Sequence, residues 1–473
     1  MNLVEILTEY QSTIDPEGLE VIGSIDGLEA TGLSFDSREV QTGNIFFCIS
    51  GGTHDGHEYA IQAIEHGAVS VVAERELSVS VPQIIVEDTR EAMGYISCIY
   101  FGFPSRELDV VGVTGTNGKT TTTHLVEAIL NSAGVSCESI GTLTGVLTTP
   151  EAPDLQRQFR SLADGGIKSV VMEVSSHALS QHRVTGTEFD IGVFTNLSQD
   201  HLDFHSDIEE YFETKSSLFT ANRCRSAVVN IDDPYGLRLA KQIDIKTYET
   251  SAAAIEIKDE SFTKSSIIWR DLSIELQVLG RFNIENALLA ASTCLLLGID
   301  ENQVVNGLEA AEPVPGRFEV IDGYEGAPTV IVDYSHTPAG IENVLQAVRK
   351  ISPKVDLTIV FGCGGNRDDS KRPKMARAAE IHADRVIVTS DNPRYEDPRK
   401  IIDQTMTGFI DPSPVIVEED REAAIQLAIQ SSGEGGVIVI AGKGAETTQE
   451  ICGKVKPFDD RVIAERALQG VKG

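Results

Sequence analysis

The stretch GVTGTNGKTTTT, residues 112–123, decides how the middle of this chain folds. An apolar run at residues 108–113 leads into it, and a helical pattern at residues 124–129 follows it. A glycine-rich turn between a strand and a helix is typical of phosphate binding, because loop N–H groups and the positive helix end hold phosphate oxygens. Lys119 adds a full charge, and the Thr120 hydroxyl is placed to ligate the Mg²⁺ that accompanies a nucleotide.

The spacing of this loop departs from the strict P-loop pattern, which requires glycine five residues before Gly118. The chain has Val113 there, with Gly112 and Gly115 on either side. Glycine-rich turns of this kind also occur without a ligand. The preceding strand together with Lys119 and its neighbouring hydroxyl nevertheless favours a nucleotide phosphate site on a variant loop.

Length and patterning predict three α/β domains. The chain has 473 residues, and ~150 residues per domain predicts about three. Breaks near residues 103–105 and 312–316 place the domains at residues 1–107, 108–312 and 313–473. Apolar strands alternate with helices, which predicts a small N-terminal α/β domain, a central parallel sheet and a C-terminal doubly wound, Rossmann-like domain.

Composition excludes several classes of partner and site. The net charge of −33 disfavours nucleic acid and anionic membranes, because no basic excess neutralises their phosphates. No 18-residue apolar stretch is present, and the first ten residues carry acidic rather than basic groups, which predicts a cytoplasmic protein. The seven cysteines are scattered without a CxxC pair, which argues against a disulfide framework and against a zinc site.

Several polar groups follow predicted strands. Glu173 ends the strand at residues 169–174, where it would hold Mg²⁺ or pair with a nearby cation. His201 and His205 follow the strand at residues 191–196 with the i, i+4 spacing of one helix face. Zinc would need a third ligand, so one histidine near a phosphate–metal site is the simpler interpretation. Lys215 is, by composition alone, an ordinary helical lysine.

Two later segments carry amide and basic groups. Asn283 and Asn286 lie one turn apart, where they would contact an adenine edge, or where Asn283 would cap a helix. Residues 362–373, GCGGNRDDSKRP, place Arg367, Lys371 and Arg372 after a glycine-rich turn. Arg394 follows another strand and would either grip a carboxylate or remain a surface charge. Together these groups predict a pocket for an anionic or zwitterionic substrate.

Ten motifs in sequence resemble those of the Mur ligases of peptidoglycan synthesis, in order and over nearly the whole chain. They are GTNGKTTT (115–122), EVSSHAL (173–179), DHLDFH (200–205), YFETK (211–215), GRFNIENALLA (280–290), PGRFEVI (315–321), DYSHTP (333–338), GCGGNRD (362–368), DNPR (391–394) and GKGAE (442–446).

The resemblance implies an ATP-dependent amide ligase. In the family, ATP phosphorylates the D-glutamate γ-carboxylate of a UDP-N-acetylmuramoyl dipeptide, and the amine of an amino acid then attacks the acyl phosphate. The resemblance implies that the enzyme uses ATP and two Mg²⁺ sites and that Lys215 is carbamylated. It also implies that the first domain binds the UDP moiety and that the protein is a monomer. The alternatives are a lysine-adding Mur ligase, a ligase similar to folylpolyglutamate synthetase, and a non-catalytic nucleotide-binding protein of the same fold.

The resemblance also implies site residues by position. Catalytic roles fall to Lys119, Lys215 and His201. The Mg²⁺ ligands would be Thr120, Glu173, His201 and the carbamate of Lys215. ATP contacts fall to Gly115, Thr116, Asn117, Gly118, Lys119, Thr120, Thr121, Asn283, Asn286, Arg317, Asp333 and His336. The UDP-muramyl dipeptide would meet Ser37, Arg38, Gly52, Thr53, His54, Thr148, Thr149, Ser175, Gln181 and Arg183. The amino-acid pocket would contain Arg367, Asp391, Asn392, Pro393, Arg394, Gly442 and Glu446.

Arg394 carries the expected choice of amino acid. In the family the DNPR motif accompanies meso-diaminopimelate, whose distal carboxylate gains a bidentate contact from arginine, whereas the ammonium of lysine would be repelled. Two positions depart from the family pattern. Ala445 replaces the histidine of the usual GKGHE motif, and Leu147 stands where many members have asparagine.

Overall fold

The structure, a computed structural model, describes residues 1–14, 18–52, 54–145 and 147–471. Its first part forms a five-stranded sheet of order β1-β5-β4-β3-β2, in which only the β1–β5 pair is antiparallel. The elements are α1 (Leu3–Ile14), β1 (Glu20–Ile22), β2 (Gly32–Ser34), β3 (Asn44–Phe47), α2 (Ala60–Glu65), β4 (Ser70–Ala73), β5 (Gln83–Ile85) and α3 (Thr89–Tyr100), with 3-10 turns at Gly56–Tyr59 and Pro104–Arg106.

The central part contains a six-stranded, wholly parallel sheet of order β11-β10-β9-β6-β8-β7. Its first elements are β6 (Asp109–Thr114), α4 (Lys119–Ser132), β7 (Cys137–Ile140), α5 (Ala152–Asp164), β8 (Ser169–Glu173), α6 (Ser176–Ser180), β9 (Phe189–Phe194) and α7 (Ile208–Ser216). They are followed by β10 (Cys224–Asn230), α8 (Pro234–Gln242), β11 (Lys246–Thr250), β12 (Glu256–Glu260), β13 (Ser265–Trp269), β14 (Leu272–Leu276), α9 (Arg281–Leu296) and α10 (Glu301–Ala310).

The last part forms a second six-stranded sheet of order β15-β16-β20-β17-β18-β19, antiparallel only at its β15 edge. Its elements begin with β15 (Glu319–Ile321), β16 (Thr329–Asp333), α11 (Pro338–Ile351), β17 (Leu357–Phe361), α12 (Arg372–His382), β18 (Arg385–Val388) and α13 (Pro398–Met406). They end with β19 (Ile416–Val417), α14 (Arg421–Ser431), β20 (Val437–Ala441), β21 (Thr448–Ile451), β22 (Lys454–Pro457) and α15 (Asp460–Val471).

Both six-stranded sheets are covered by helices on their two faces, which explains the continuous apolar runs of their strands. One face of the central sheet packs with α4, α9 and α10, and the other with α5, α7 and α8. One face of the last sheet packs with α11, α12 and α13, and the other with α14 and α15. The predicted α/β class with parallel sheets is confirmed.

Two small antiparallel elements were not predicted. Strands β12, β13 and β14 form a separate three-stranded sheet, and β21 and β22 form a hairpin. All seven cysteines are free: six are buried, and Cys452 is exposed in the hairpin turn. Within the described ranges, no helix has the length and apolar character needed to span a membrane.

Candidate functional site

A cleft of about 470 Å³ lies where the carboxyl ends of the two six-stranded sheets face each other. Ligands of open α/β sheets bind at such edges. The following predicted residues line it: Thr116, Asn117, Gly118, Lys119, Thr120, Thr121, Thr148, Thr149, Glu173, Ser175, Arg183, His201, Asn283, Asn286, Arg317, Asp333, His336, Arg367, Asp391, Asn392, Arg394, Gly442 and Glu446. The structure therefore brings most of the predicted phosphate, metal and amino-acid groups into one space, although Gly115 and Lys215 do not line it.

The phosphate loop is held in a form that needs its glycines. Gly118 precedes α4 with φ 85°, and a Cβ there would lie 2.3 Å from the Asn286 Oδ1. The side-chain Oδ1 of Asn196 accepts from the Asn117 N–H at 3.0 Å, and its carbonyl accepts from the Thr116 N–H at 2.9 Å. The loop is thus fixed by the strand end beside it, with the N-terminus of α4 facing the cleft.

Lys119 lies folded over this loop. Its Nζ donates to the carbonyl oxygens of Gly115 and Thr116, each at 2.9 Å. Burial lowers its pKa from the usual value. The ammonium is therefore bound to backbone carbonyl oxygens, and the phosphate oxygens of a nucleotide would take the place of these carbonyls as its hydrogen-bond acceptors.

Glu173 and Thr120 form a buried pair beside the loop. The Glu173 Oε1 accepts from the Thr120 hydroxyl at 3.0 Å and from the Thr142 N–H at 2.8 Å. Arg317, from the last part of the chain, donates to the same hydroxyl at 2.9 Å. One carboxylate and one hydroxyl fit Mg²⁺, which takes one or two protein ligands together with phosphate oxygens and water.

Lys215 is buried directly beneath the loop. Only 1% of its surface is exposed, and its Nζ donates at 2.9 Å to the same Gly115 carbonyl that Lys119 contacts. Its ammonium also lies 4.6 Å from the centre of the Tyr211 ring. Burial, together with the charge of Lys119, holds the pKa of Lys215 well below its usual value. The interpretation of Lys215 as an ordinary helical lysine, which its sequence context alone suggested, does not fit this buried environment.

Three histidines cluster beside Lys215. The His201 ring lies 4.9 Å from the His177 ring and 6.0 Å from the Tyr211 ring. Burial lowers the pKa of His201 to about 3 and that of His177 to about 4, so both rings are neutral. His205 is 1% exposed, and its Nδ1 lies 3.7 Å from the Glu210 carboxylate.

The helix face proposed for His201 and His205 is not formed. The His205 N–H donates to the His201 carbonyl in a single turn, and α7 begins only at Ile208. His201 itself has φ 57°, a left-handed conformation that a continuing helix excludes. Among the described residues, no group of three or more His, Cys, Asp or Glu side chains is placed to hold a metal ion.

Asp200 is a central group that the sequence analysis missed. It is 3% exposed and lies 2.8 Å from the Lys371 Nζ, 3.3 Å from the His336 Nε2 and 3.4 Å from the His201 Nε2. Although burial opposes ionisation, the His336 and Lys371 contacts hold its pKa well below the usual value. Its position in the strand-end motif that contains His201 could have indicated a functional role. Nothing in the sequence indicated that Lys371, 171 residues away, would be its partner.

The basic cluster of residues 362–373 is divided by the structure. Arg367 lines the cleft as predicted. Lys371 is paired with Asp200 across the cleft, and Arg372 is buried against Glu396 and the Gly364 carbonyl. Lys371 still lines the cleft with the rest of the predicted pocket, whereas Arg372 does not, because its guanidinium is used to bind Glu396 and the Gly364 carbonyl.

The amide pair lies next to the phosphate loop. Helix α9 begins at Arg281 with Gly280 as its N-cap, so the alternative that Asn283 caps this helix is wrong. Asn283 donates to the Leu279 carbonyl at 2.9 Å and accepts from Asn286 at 3.1 Å. Asn286 in turn approaches the loop glycine Gly118.

Asp333 and Arg317 form the part of the wall that the last sheet contributes. The Asp333 Oδ2 accepts from the Phe318 N–H at 2.7 Å, and its Oδ1 accepts from the Ser335 N–H at 2.8 Å. The Arg317 guanidinium stacks 4.1 Å above the Tyr334 ring while it reaches Thr120. These contacts join the two sheets at the phosphate end of the cleft.

At the other end of the cleft, hydrogen bonds between polar side chains hold those side chains in place. Asn392 donates to the Glu446 carboxylate at 2.8 Å, and the buried Lys443 ammonium contacts Glu446 at 2.8 Å and Asn392 at 3.2 Å. Arg394 has φ 54° and donates to the Gly365 carbonyl at 2.7 Å, while its Nε lies 3.9 Å from Glu450. Pro393 does not line the cleft.

The residues assigned to the dipeptide mostly support one another. The Thr149 hydroxyl donates to the Glu173 carbonyl at 2.8 Å and accepts from the Ser175 N–H at 3.1 Å. Arg183 donates to the Thr149 carbonyl at 3.0 Å and pairs with Glu151 at 2.9 Å. Gln181 accepts from Arg183 without lining the cleft, whereas Leu147 lines it.

The residues assigned to UDP lie apart from this cleft. Ser37 donates to Gln62 at 2.9 Å, and Arg38 contacts Asp36. The His54 ring packs edge-on against Tyr59 at 6.4 Å. Gly52 is exposed, and Thr53 lies outside the described residues. Of these predicted groups, the described ones (Ser37, Arg38, Gly52 and His54) do not line the cleft.

Family models cover most of the chain. The model described as "Mur ligase family, catalytic domain" matches residues 29–100, "Mur ligase middle domain" matches residues 113–294, and "Mur ligase, glutamate ligase domain" matches residues 316–444.

Curated relatives are similar over nearly their whole length. A UDP-N-acetylmuramoyl-L-alanyl-D-glutamate–2,6-diaminopimelate ligase of Geobacillus thermodenitrificans is 43% identical over 92% of this chain and 94% of its own. The enzyme of that name from Aquifex aeolicus is 43% identical over 93% and 94%.

Solved structures agree with the fold. A structure of a UDP-N-acetylmuramoyl-L-alanyl-D-glutamate–2,6-diaminopimelate ligase has a TM-score of 0.64 at 32% identity, covering 94% of this chain and 96% of its own. The MurF ligase of Thermotoga maritima in complex with ADP has a TM-score of 0.64 at 19% identity, covering 94% and 97%. At that identity the second similarity concerns the fold alone.

Proposed function

The chain belongs to the Mur ligase family, and from this premise we propose that it joins meso-diaminopimelate to the D-glutamate γ-carboxylate of UDP-N-acetylmuramoyl-L-Ala-D-Glu at the expense of ATP. The observation that carries the proposal is the single cleft in which a phosphate loop faces an amino-acid pocket. Both half-reactions need such a cleft, because the acyl phosphate made at one end must meet the amine held at the other.

The phosphate loop activates ATP in this proposal. Its N–H groups and the N-terminus of α4 hold phosphate oxygens, and Asn283 and Asn286 lie on the adenine side. Lys119 moves from the Gly115 and Thr116 carbonyls onto the phosphoryl group. Mg²⁺ held by Thr120 and Glu173, with a second site near His201, would neutralise charge on the transferring group.

Lys215 serves this site as a carbamate. Burial lowers the pKa of Lys215 and so favours the neutral amine, whose nitrogen attacks the carbon of CO₂: an N–C bond forms as one C–O π bond breaks, and the proton on nitrogen passes to solvent. Carbamylation would place a carboxylate close to the Lys119 ammonium, because the Nζ atoms of Lys119 and Lys215 both contact the Gly115 carbonyl oxygen. Modification would thus place an anion beside Lys119 and supply an oxygen ligand. The neutral ring of His201 is the form that ligates metals.

The second half-reaction is mainly a matter of positioning. The Glu446 carboxylate would accept from the amino group of the amino-acid substrate, and the Asn392 side-chain NH₂ would donate to its carboxylate, with Asp391 and Gly442 behind them. Arg394 and Arg367 would bind the distal carboxylate of meso-diaminopimelate. The left-handed backbone of Arg394 and its bond to the Gly365 carbonyl fix the guanidinium at the pocket, which favours a bidentate contact.

The remaining assignments complete the proposal. Residues 1–107 would bind the UDP moiety, residues 108–312 ATP and residues 313–473 the amino acid. Thr148, Thr149, Ser175, Gln181 and Arg183 would meet the muramyl dipeptide. We further propose a monomeric cytoplasmic enzyme that uses neither nucleic acid nor membrane as a partner.

Phosphate release tests this function. The protein is incubated with ATP and UDP-N-acetylmuramoyl-L-Ala-D-Glu, together with either meso-diaminopimelate or L-lysine, and the amide product is identified by mass spectrometry. We expect product with meso-diaminopimelate. Equal or better turnover with lysine would refute the specificity. Turnover only with a folate and glutamate would identify the folylpolyglutamate-like alternative, and no ATP turnover with any acceptor would identify a binding protein.

A further inference from the structure

An ion pair that no substrate would touch lies behind the amino-acid pocket. The Arg421 Nε donates to the Asp460 Oδ1 at 2.8 Å, and its Nη2 donates to the Asp460 Oδ2 at 2.7 Å. Both side chains are 0% exposed. Arg421 begins α14 and Asp460 begins α15, so the pair also joins two helices on one face of the last sheet.

The remaining donors of Arg421 reach the two loops that form the pocket. Its Nη1 donates to the Ser390 carbonyl at 3.3 Å, and its Nη2 donates to the Ala441 carbonyl at 3.0 Å. Ser390 directly precedes the Asp391–Arg394 loop, and Ala441 directly precedes the Gly442–Glu446 loop. One guanidinium therefore contacts the base of both loops.

The sheet itself does not fix these loops relative to each other. They follow β18 and β20, which are separated by β17 in the strand order β20-β17-β18. Backbone ladders pair each strand with β17 but never with the other. A cation that spans the end of β17 connects the bases of the two loops directly.

The close packing around this cation makes the spacing of the loops sensitive to it. A Cβ on Gly442 would lie 2.6 Å from the Asp391 Oδ2 and 3.8 Å from the Arg421 Nη2. On the cleft side, the loops touch through Asn392 and Glu446, whose polar atoms face the substrate position. Substrate groups would compete for that contact, whereas the Arg421 contacts lie behind the loops and, like the buried Lys443 contact to Asn392, are out of the substrate's reach.

Stability alone does not account for such a pair. A fully buried ion pair is often no more stabilising than apolar side chains of similar volume. What apolar side chains would not replace is the pair of hydrogen bonds to the Ser390 and Ala441 carbonyls. The pair is better explained by what it holds in place.

We infer that Arg421, held by Asp460, is a positioning residue that sets the distance between the two loops of the amino-acid pocket and thereby the affinity for the amino-acid substrate. This inference rests on the proposed function. It predicts that weakening the pair raises KM for meso-diaminopimelate and leaves KM for ATP and the thermal midpoint of the central part nearly unchanged.

The test compares wild type with Arg421→Lys and with the double variant Arg421→Met/Asp460→Leu. Lysine keeps the charge but cannot reach Asp460 and both carbonyls together. The double variant removes the buried charges without leaving one unpaired, so it is expected to fold. We expect KM for meso-diaminopimelate to rise about tenfold in each, as for the loss of a charge-assisted hydrogen bond, with KM for ATP within about twofold.

Arg349→Lys provides the matched control. Arg349, on α11, likewise joins an aspartate, Asp384, to a backbone carbonyl, that of Val355, but beside the amino end of β17 and away from the cleft. It should leave both KM values unchanged. Equal rises in the two KM values of the Arg421 variants, or a fall in kcat alone, would overturn the inference.

The outcomes also separate this inference from the proposed function. If wild type shows no turnover with any diamino acid, the function fails. If wild type is active and KM for the amino acid is the same in the variants, the inference alone fails. If neither variant folds, the pair serves to hold the last part of the chain together, and the positioning role is equally overturned.

Discussion

Replacing Lys215 tests how a buried amine is tolerated beside the phosphate loop. Its Nζ and that of Lys119 each lie 2.9 Å from the Gly115 carbonyl oxygen, so the two nitrogens are at most about 5.8 Å apart. Two full charges at that distance repel by about 3 kcal/mol at an effective dielectric constant of ~20. A permanently charged side chain at position 215 should therefore destabilise the fold, and a neutral one should not.

Two substitutions separate charge from carbamate chemistry. Lys215→Arg keeps a cation that cannot lose its proton or be carbamylated, whereas Lys215→Met keeps the volume without charge. We expect Lys215→Arg to lose about 3 kcal/mol or more, a fall of roughly 6–12 °C in thermal midpoint for a domain of 150–250 residues. Lys215→Met should melt at or above the wild-type temperature, and both should lack ligase activity.

The pH dependence of unfolding gives an independent readout. Because folding lowers the pKa of the uncarbamylated Lys215 amine, the unfolded chain binds more protons than the folded chain between the lowered pKa and the ordinary lysine pKa of about 10.4. The stability of the uncarbamylated wild type should therefore rise with pH in that interval, and this contribution should vanish in Lys215→Met. The measurement is chemical denaturation at several pH values.

Rescue experiments test the carbamate itself. Phosphate release by Lys215→Ala is measured with and without short carboxylic acids, which would occupy the space of the missing carboxylate. Restored activity in the alanine variant but not in Lys215→Arg is the expected result. Full activity of Lys215→Met, or wild-type stability of Lys215→Arg, would refute the reasoning.

Two further substitutions examine the ends of the cleft. Arg394→Ala should raise KM for meso-diaminopimelate by about 10²-fold, because a charge-assisted bidentate contact is lost. The exposed control Arg399→Ala should leave KM unchanged. Unchanged steady-state kinetics of Arg394→Ala would show that Arg394 does not bind the distal carboxylate. Gly118→Ala should abolish ATP binding in a calorimetric titration, since its Cβ would lie 2.3 Å from Asn286. Gly134→Ala has a similar φ of 81° with open space around it, so it should cost stability only; equal ATP affinity in the two variants would contradict the clash.

Local sequence patterns predicted the positions of the parallel strands and of the phosphate loop well. The strand predicted at residues 169–174 is observed with its end one residue earlier, at Glu173, and the one predicted at residues 191–196 is observed two residues earlier, as Phe189–Phe194. Runs that are apolar on both faces leave little choice in a covered parallel sheet. The phosphate loop was equally readable, because its glycines, lysine and flanking elements are contiguous in the chain.

Groups whose environment comes from distant parts of the chain were not predictable in this way. Lys215 meets Gly115 across 100 residues, and Asp200 meets Lys371 across 171. A lysine in a sequence carries no sign of whether water or a carbonyl surrounds it. The antiparallel strands β12–β14 were missed because the short alternating segments between β11 and α9 resemble ordinary connections. The domain boundaries at 107 and 312, and the roles of the site residues, remain predictions.

The distribution of the cysteines makes regional opening of this molecule measurable without any substitution. Cys48 and Cys98 lie in the first part, Cys137, Cys224 and Cys294 in the central part, and Cys363 in the last, all buried, with burial raising the thiol pKa values. A thiol reagent would modify Cys452 at once and the others only as each region opens. Timed alkylation followed by peptide mass spectrometry would therefore report the order in which the three sheets come apart, and which of them a bound nucleotide holds shut.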